Sequence, residues 1–192
     1  NRGYPDFASA LVSQLGSVLS TTDASHNTRL IRQAMAEHLA RQTPLTELQS
    51  LQHTLIQLAC DAEVVLDLHC DFEAVAHLYT ESPYWPQAEA LVRYLGIETT
   101  LLSKGSGGNS FDESCSGIWW QLAERFAGQY PIELACLSAT VELRGEADVS
   151  HAQADADAAT WQLADLRNKD KISQDRNLYA NLDSRFAHFV LY

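Results

Sequence analysis

A short stretch ending in Asp67-Leu68-His69 contains the residues of this sequence best suited to chemistry. It closes an apolar, β-branched run that begins at Val64, which is typical of a buried strand in an α/β protein. Side chains alternate along a strand, so Asp67 and His69 are expected to point to the same side. An imidazole at a strand end can bind Zn²⁺ through one nitrogen while a carboxylate holds its other N–H. A hydrogen-bonded histidine without a metal is the alternative, and this stretch alone leaves both open.

Glu142 is the second residue with an unusual setting. It lies late in a predicted strand at 135–143, where an ionised carboxylate is costly to bury unless it is paired. One explanation is structural, namely an ion pair with Arg144. The other is functional: a general base that takes a proton from a metal-activated water molecule.

The overall composition restricts the classes of partner. The 192 residues carry a formal net charge of -12, which argues against nucleic acid and anionic membranes as partners. No apolar run is long enough to cross a bilayer, and no signal segment opens the sequence. We therefore expect a soluble, cytoplasmic protein, and the net charge does not rule out an anionic small substrate, because one or two local arginines can dominate a cleft. The first residue is Asn1 rather than Met, and we expect part of a longer protein upstream.

The four cysteines have no C-x-x-C spacing, which indicates free thiols rather than a zinc knuckle or a disulfide scaffold. Cys70 is a reactive thiol, a ligand or a buried small hydrophobe, and the last of these is the commonest case. A cysteine hydrolase that uses Cys70 with His69 or His77 is a competing hypothesis. Adjacent strand residues point apart, however, so Cys70 and His69 would pair poorly.

The pattern of the whole chain alternates between helices and strands and predicts a layered α/β fold. Helices are expected at 6–18, from about 28, from Thr43-Pro44 onward, at 118–126 and at 152–166. A strand is expected at 97–102, followed by a flexible loop at 103–110 that lacks the order of a P-loop. The third helix should bury one apolar stripe, formed by Leu48, Leu51, Leu55 and Leu58.

Glu73 and His77 leave a further alternative open. They are four residues apart and would share one face of a helix, where they would form a His₂Glu ligand set with His69. A strand that begins near Leu78 would instead separate them.

Three segments together resemble the succinylglutamate desuccinylase/aspartoacylase branch of the zinc carboxypeptidase-like superfamily. They are Asn1-Arg2-Gly3-Tyr4-Pro5-Asp6, Asp67-Leu68-His69 and Thr140-Val141-Glu142-Leu143, and the match spans residues 1 to about 158. The resemblance implies a three-layer α/β fold of the phosphorylase/hydrolase-like type, with a mixed, mostly parallel sheet flanked by helices. It implies an α/β domain over 1–166, followed by a polar linker and a terminal apolar strand over 167–192.

The same resemblance implies roles for individual residues. His69 would be the third zinc ligand and Glu142 the catalytic base, while Asn1 and Arg2 would bind a carboxylate of the substrate. Arg144 would add a second positive contact or neutralise Glu142. The implied activity is zinc-dependent hydrolysis of an amide bond in an N-acyl amino acid or at a peptide C-terminus, by a protein that can form a homo-oligomer.

One motif of that family is missing from this sequence. The first two zinc ligands of the family come from an H-x-x-E motif upstream of the Asn-Arg pair, and none of the seven histidines here has Glu three residues later. A catalytic zinc normally takes three protein ligands. Either the other ligands lie upstream, or the chain is a non-catalytic module of the same fold that binds no metal.

Overall fold

The structure is a computed structural model, and residues 3–147, 150–152 and 188–191 are described in it. Over these residues it contains five α-helices, one 3₁₀ turn at Ser82–Tyr84 and five strands. The helices are α1 (Phe7–Leu15), α2 (Ala24–Ala40), α3 (Glu47–Ala59), α4 (Trp85–Leu95) and α5 (Phe111–Arg125). The strands are β1 (Val64–Asp71), β2 (His77–Glu81), β3 (Thr99–Ser103), β4 (Leu137–Gly145) and β5 (His188–Leu191). Within the described part of the chain, no helix is long and apolar enough to cross a membrane.

The strands form one sheet in the order β3-β2-β4-β1-β5. β1 is parallel to both β4 and β5, and β2 is parallel to β3, whereas β2 and β4 are antiparallel. Parallel neighbours cannot be joined by a hairpin, so long crossover connections lie between them. The predicted fold class, a mixed and mostly parallel sheet flanked by helices, is confirmed.

Two apolar clusters cover the two faces of the sheet and produce the three layers. On one face, Val65 packs with residues of α1, α2, α3 and α5. On the other face, Leu66 and Val141 pack with residues of α4. Alternation along β1 explains this division, because Val65 and Leu66 point to opposite sides. Asp67 and His69 therefore lie on the face of Val65, on the side of the sheet that α5 covers.

Several predicted elements differ from the observed ones in their bounds. The third helix begins at Glu47 rather than at Thr43-Pro44, and the side chain of Thr46 accepts a hydrogen bond from the backbone N–H of Gln49. The helix predicted at 118–126 begins earlier, at Phe111. The helix predicted at 152–166 lies outside the described residues except for its first position. Because 153–187 also lie outside them, the domain division at 166 remains a prediction.

Arg32 of α2 joins the starts of the two central strands. Its guanidinium donates hydrogen bonds to the carbonyls of Asp61 at 2.6 Å, Ala62 at 3.2 Å and Ala135 at 3.0 Å. The same group lies 5.8 Å from the centroid of the Trp119 ring. Asp61 and Ala62 precede β1, and Ala135 precedes β4, so one side chain helps to set the register between these strands.

Replacing Arg32 with Met should lower the free energy of unfolding by at least about 2 kcal/mol, because one hydrogen bond from a charged donor contributes about 1.5–3 kcal/mol and three carbonyls would lose their partner. Urea denaturation measures the change. Arg29→Met, at an exposed position of the same helix, is the control and should shift stability by less than about 0.5 kcal/mol. An Arg32 variant as stable as this control would show that the strand register does not depend on the guanidinium.

Candidate functional site

β1 passes from the interior to the surface, and His69 lies at the transition. Residues 64–68 are buried and residues 69–71 are exposed. The Nε2 atom of His69 lies 3.1 Å from Oδ2 of Asp67, so the expected common orientation of these two side chains is confirmed. The His69 side chain is 41% exposed. A carboxylate thus holds one ring nitrogen while the ring stays accessible from solvent.

Asp67 is buried, in contrast to the histidine that it contacts. Its side chain is 7% exposed. Burial raises the pKa of the Asp67 carboxyl, and the neighbouring His69 partly offsets that increase. The Oδ1 atom is buried and has no hydrogen-bond partner among the described residues. The imidazole is therefore the main partner of this carboxylate, and the contact through Nε2 fixes the orientation of the ring.

Glu142 lies beside His69 on the neighbouring parallel strand. The Cα register pairs these two residues directly, and Oε1 of Glu142 is 3.8 Å from Nδ1 of His69. This distance is too long for a direct hydrogen bond. The Glu142 side chain is 13% exposed, and its Oε2 atom is buried without a hydrogen-bond partner in the described part of the chain. The structure thus brings together the two residues that the sequence singled out for metal binding and proton transfer.

His77 completes a row across three strands. It is the first residue of β2 and pairs in antiparallel register with Glu142, so His69, Glu142 and His77 are consecutive cross-strand neighbours. Its Nδ1 lies 2.8 Å from the carbonyl oxygen of Val75 and must donate to it, since a carbonyl only accepts. The alternative in which Glu73 and His77 share a helix face is wrong, because His77 belongs to a strand. The local sequence at 73–80 is compatible with a helix or a strand, and the pairing of β2 with β4 selects the strand.

The three remaining predicted site residues are Arg144, Asn1 and Arg2, and the structure describes one of them, Arg144. Arg144 lies half-buried on β4, beyond an irregularity of the β1–β4 pairing that falls between His69 and Asp71. Its role, whether in substrate binding or in neutralising Glu142, remains a prediction. Asn1 and Arg2 lie outside the described residues, so their binding of a substrate carboxylate remains a prediction too.

The segment that follows Asn1 and Arg2 packs against the beginning of α5. The backbone N–H of Tyr4 donates to the carbonyl of Asn109 at 2.9 Å, and the Tyr4 ring lies 5.3 Å from that of Phe111. Asp112, in the first turn of α5, contributes to the raised pKa of Asp67. The polypeptide near residue 4 therefore contacts the same end of α5 that lies close to the candidate site.

Cys70 is exposed, so the expectation of a buried small hydrophobe is wrong for this residue. The apolar run of β1 ends before it, which explains the exposure. Two of the four free thiols, those of Cys115 and Cys136, are buried. Burial raises the pKa of Cys136 to about 12, which makes its thiolate inaccessible at neutral pH.

The donors at the site match part of a zinc-binding set. His69 is of a residue type that binds zinc through one ring nitrogen, and the buried Oδ1 of Asp67 and Oε2 of Glu142 have no hydrogen-bond partner among the described residues. Over residues 3–147, 150–152 and 188–191, no group of three or more His, Cys, Asp or Glu residues is arranged to hold a metal. Any zinc at His69 therefore needs further ligands from residues outside this set.

A cleft of about 540 Å³ lies between the N-terminal segment, α2 and α3. It contains two further histidines, and both are engaged within the protein. His38 Nε2 lies 2.8 Å from Nε2 of Gln42, and His53 Nε2 lies 2.9 Å from the carbonyl of Leu39. Neither ring belongs to a metal-binding group in the described part of the chain.

The fold and the row formed by His69, Glu142 and His77 define the class of this protein. It is an α/β protein with a carboxylate and two imidazoles on three adjacent strands.

Two solved structures from Shewanella share this fold, and both are assigned provisionally to the succinylglutamate desuccinylase/aspartoacylase family. The protein from Shewanella amazonensis SB2B is 24% identical with a TM-score of 0.69, and the match covers 98% of this chain and 51% of that one. The protein from Shewanella frigidimarina NCIMB 400 is 22% identical with a TM-score of 0.69, and the match covers 99% and 50%.

This chain therefore spans about half the length of those two proteins. No family model matches the sequence, and no curated protein matches it either. At these identities the likeness establishes the shared fold, in agreement with the fold that the sequence resemblance implied.

Proposed function

We propose that this chain forms part of a zinc-dependent hydrolase of the succinylglutamate desuccinylase/aspartoacylase family. The bond cleaved is the amide of an N-acyl amino acid or of a peptide C-terminus. The observation that carries the proposal is the convergence of His69 and Glu142, whose nearest nitrogen and oxygen atoms are 3.8 Å apart at the ends of adjacent parallel strands. The shared fold with two proteins assigned to this family supports it.

Each described residue of the site has a distinct role in this proposal. His69 would hold the metal, and Asp67, whose Oδ2 lies 3.1 Å from Nε2, would orient the ring. When bound, zinc supplies Lewis-acid polarisation of the substrate carbonyl and of the attacking water. Glu142 takes the proton from that water and returns it to the leaving nitrogen. Its partly buried setting suits a base, because few solvent molecules compete for its oxygens.

Substrate recognition is assigned to cationic and amide side chains. Arg2 has the planar fork that binds a carboxylate through two parallel hydrogen bonds, and Asn1 supplies an amide beside it. The segment that follows them contacts the beginning of α5 through Tyr4 and Asn109, near Asp67, which supports a position close to the reacting groups. Arg144 provides a second positive charge, or offsets the charge of Glu142.

Metal analysis combined with an amide-hydrolysis assay tests the proposal. The full-length protein should contain about one zinc per chain. It should release amino acid from members of an N-acyl amino acid series, lose that activity on chelation and recover it with added zinc. Protein that binds no zinc after reconstitution and hydrolyses nothing in the series would contradict the proposal.

A non-catalytic module of the same fold is the second candidate. The observation in its favour is that the described residues hold no group of three His, Cys, Asp or Glu side chains arranged to bind a metal, whereas a catalytic zinc normally takes three protein ligands. The same metal analysis separates the two candidates.

A further inference from the structure

Within the described part of the chain, no hydrogen bond orients the carboxylate of Glu142. Its Oε1 atom is 3.8 Å from His69, beyond hydrogen-bond distance, and its Oε2 atom is buried with no partner among the described residues. A general base must be placed within a fraction of an ångström of the proton that it takes, because a misplacement of about 1 Å can cost about 10²-fold in rate. Whatever packs beside Glu142 therefore determines its usefulness as a base.

His77 is the neighbour of Glu142 on the side away from His69. The two residues face each other across the β2–β4 pairing, where Cβ atoms are about 4.5–5.5 Å apart. Cross-strand partners point to the same face of a sheet, so the imidazole of His77 and the carboxylate of Glu142 project from neighbouring positions of one face. His69 lies on β1, on the opposite flank of the same glutamate.

The ring of His77 is held by a hydrogen bond and a ring contact. Its Nδ1–H donates to the carbonyl of Val75 at 2.8 Å, which tethers the ring to the loop before β2. The edge-to-face contact with Tyr79, at 5.1 Å between ring centroids, restrains it further. His77 is 7% exposed, so there is little room for another rotamer. A ring restrained in this way thus pairs across the strands with a carboxylate that no described residue orients by a hydrogen bond.

We propose that His77 is a positioning residue for Glu142: its tethered ring confines the carboxylate on the β2 side and keeps it turned toward His69. This inference rests on the proposed hydrolase function for its kinetic consequence, whereas the cross-strand pairing of the two residues does not depend on that function. His77 has no part in metal binding in this proposal.

Two substitutions test the volume of the His77 ring and its hydrogen bond to Val75 separately. In His77→Asn the amide nitrogen occupies nearly the place of Nδ1 and can still donate to Val75, but the outer part of the ring is lost. In His77→Phe the ring volume remains and the tether is lost. His77→Asn should lower kcat about tenfold and leave KM within about twofold, since a displaced base affects the transition state alone. His77→Phe should keep kcat within about threefold of the original value because the volume beside Glu142 is preserved.

Coupling to Glu142 distinguishes positioning from a general structural role. In a Glu142→Gln background, His77→Asn should cause no further loss of kcat, because the group that it positions has been removed. Additive losses, or a fall in melting temperature that accounts for the loss of rate, would overturn the proposal. His26→Asn, on α2, is the matched histidine control and should leave kcat and the melting temperature unchanged.

A spectroscopic measurement tests the contact without any turnover. The side-chain carboxyl ¹³C resonance of Glu142 can be assigned by its disappearance in Glu142→Gln. It should shift in both His77→Asn and His77→Phe and stay in place in His26→Asn. If the protein hydrolyses nothing but the resonance shifts, the proposed function fails and the contact stands. An unmoved resonance would overturn the positioning role whatever the activity.

Discussion

Replacing Glu142 with Gln should lower kcat by about 10²–10⁴-fold, the contribution expected of a general base. Gln has nearly the same shape as Glu and fits the same partly buried position on β4, so packing against the neighbouring strands should survive. What it lacks is the ability to take a proton from water. Because His69 and its contact with Asp67 are untouched, the zinc content of the full-length protein should not change.

The control for this substitution is Glu146→Gln, at an exposed carboxylate just beyond the end of the same strand. It removes the same charge without entering the site, so kcat should stay within about twofold of the original value. Steady-state kinetics with an N-acyl amino acid substrate, together with metal analysis, gives both quantities. Near-normal turnover by Glu142→Gln would remove this residue from the mechanism.

The half of the site on β1 could be read from the sequence because its geometry is local. An apolar, β-branched run predicts a buried strand, and strict alternation places Asp67 and His69 on one face without any knowledge of the rest of the fold. The 3.1 Å contact between their side chains follows from that rule. No long-range information is needed for this part.

The sequence predicts the strand β4 but not its position beside β1. The sequence marks Glu142 as an unusual carboxylate in a strand, yet nothing local specifies that β4 lies beside β1 with Glu142 opposite His69. That register depends on tertiary contacts such as those of Arg32, which bonds to carbonyls before both strands. Parallel pairing over a long crossover is fixed by the whole core, and a one-residue slip would reverse every side chain.

The third helix shows how periodicity alone can mislead. Leu48, Leu51 and Leu58 are about half exposed, whereas Leu55 is buried, so the expected single core stripe is wrong for three of its four members. The buried face instead runs through Leu55, Ile56 and Ala59. Both patterns have helical spacing. The choice between them depends on the direction from which α2 and α5 approach, which the sequence of α3 does not contain.

Replacing His69 with Ala should reduce the zinc content of the full-length protein to near zero under conditions in which the original protein keeps about one per chain. The reason is that a catalytic zinc has few protein ligands, and losing one removes a large share of its binding energy. Metal analysis after dialysis against a weak chelator measures this. His151→Ala, an exposed histidine in the described part of the chain, is the control and should retain its zinc.

Asp67→Asn gives a graded test of the same site. Asn keeps an oxygen that can accept from Nε2–H of His69, and no described residue pairs with the buried Oδ1 position and so prevents the amide from turning. What is lost is the negative charge that makes the imidazole a stronger ligand, so zinc affinity should fall about 10–100-fold rather than disappear. The expected order of zinc affinity is the original protein first, Asp67→Asn second and His69→Ala last. This order follows only if Asp67 acts on the metal through the ring of His69. Zinc retained in full by His69→Ala would show that the metal, if any, binds elsewhere, and Glu142 would then have no activated water beside it.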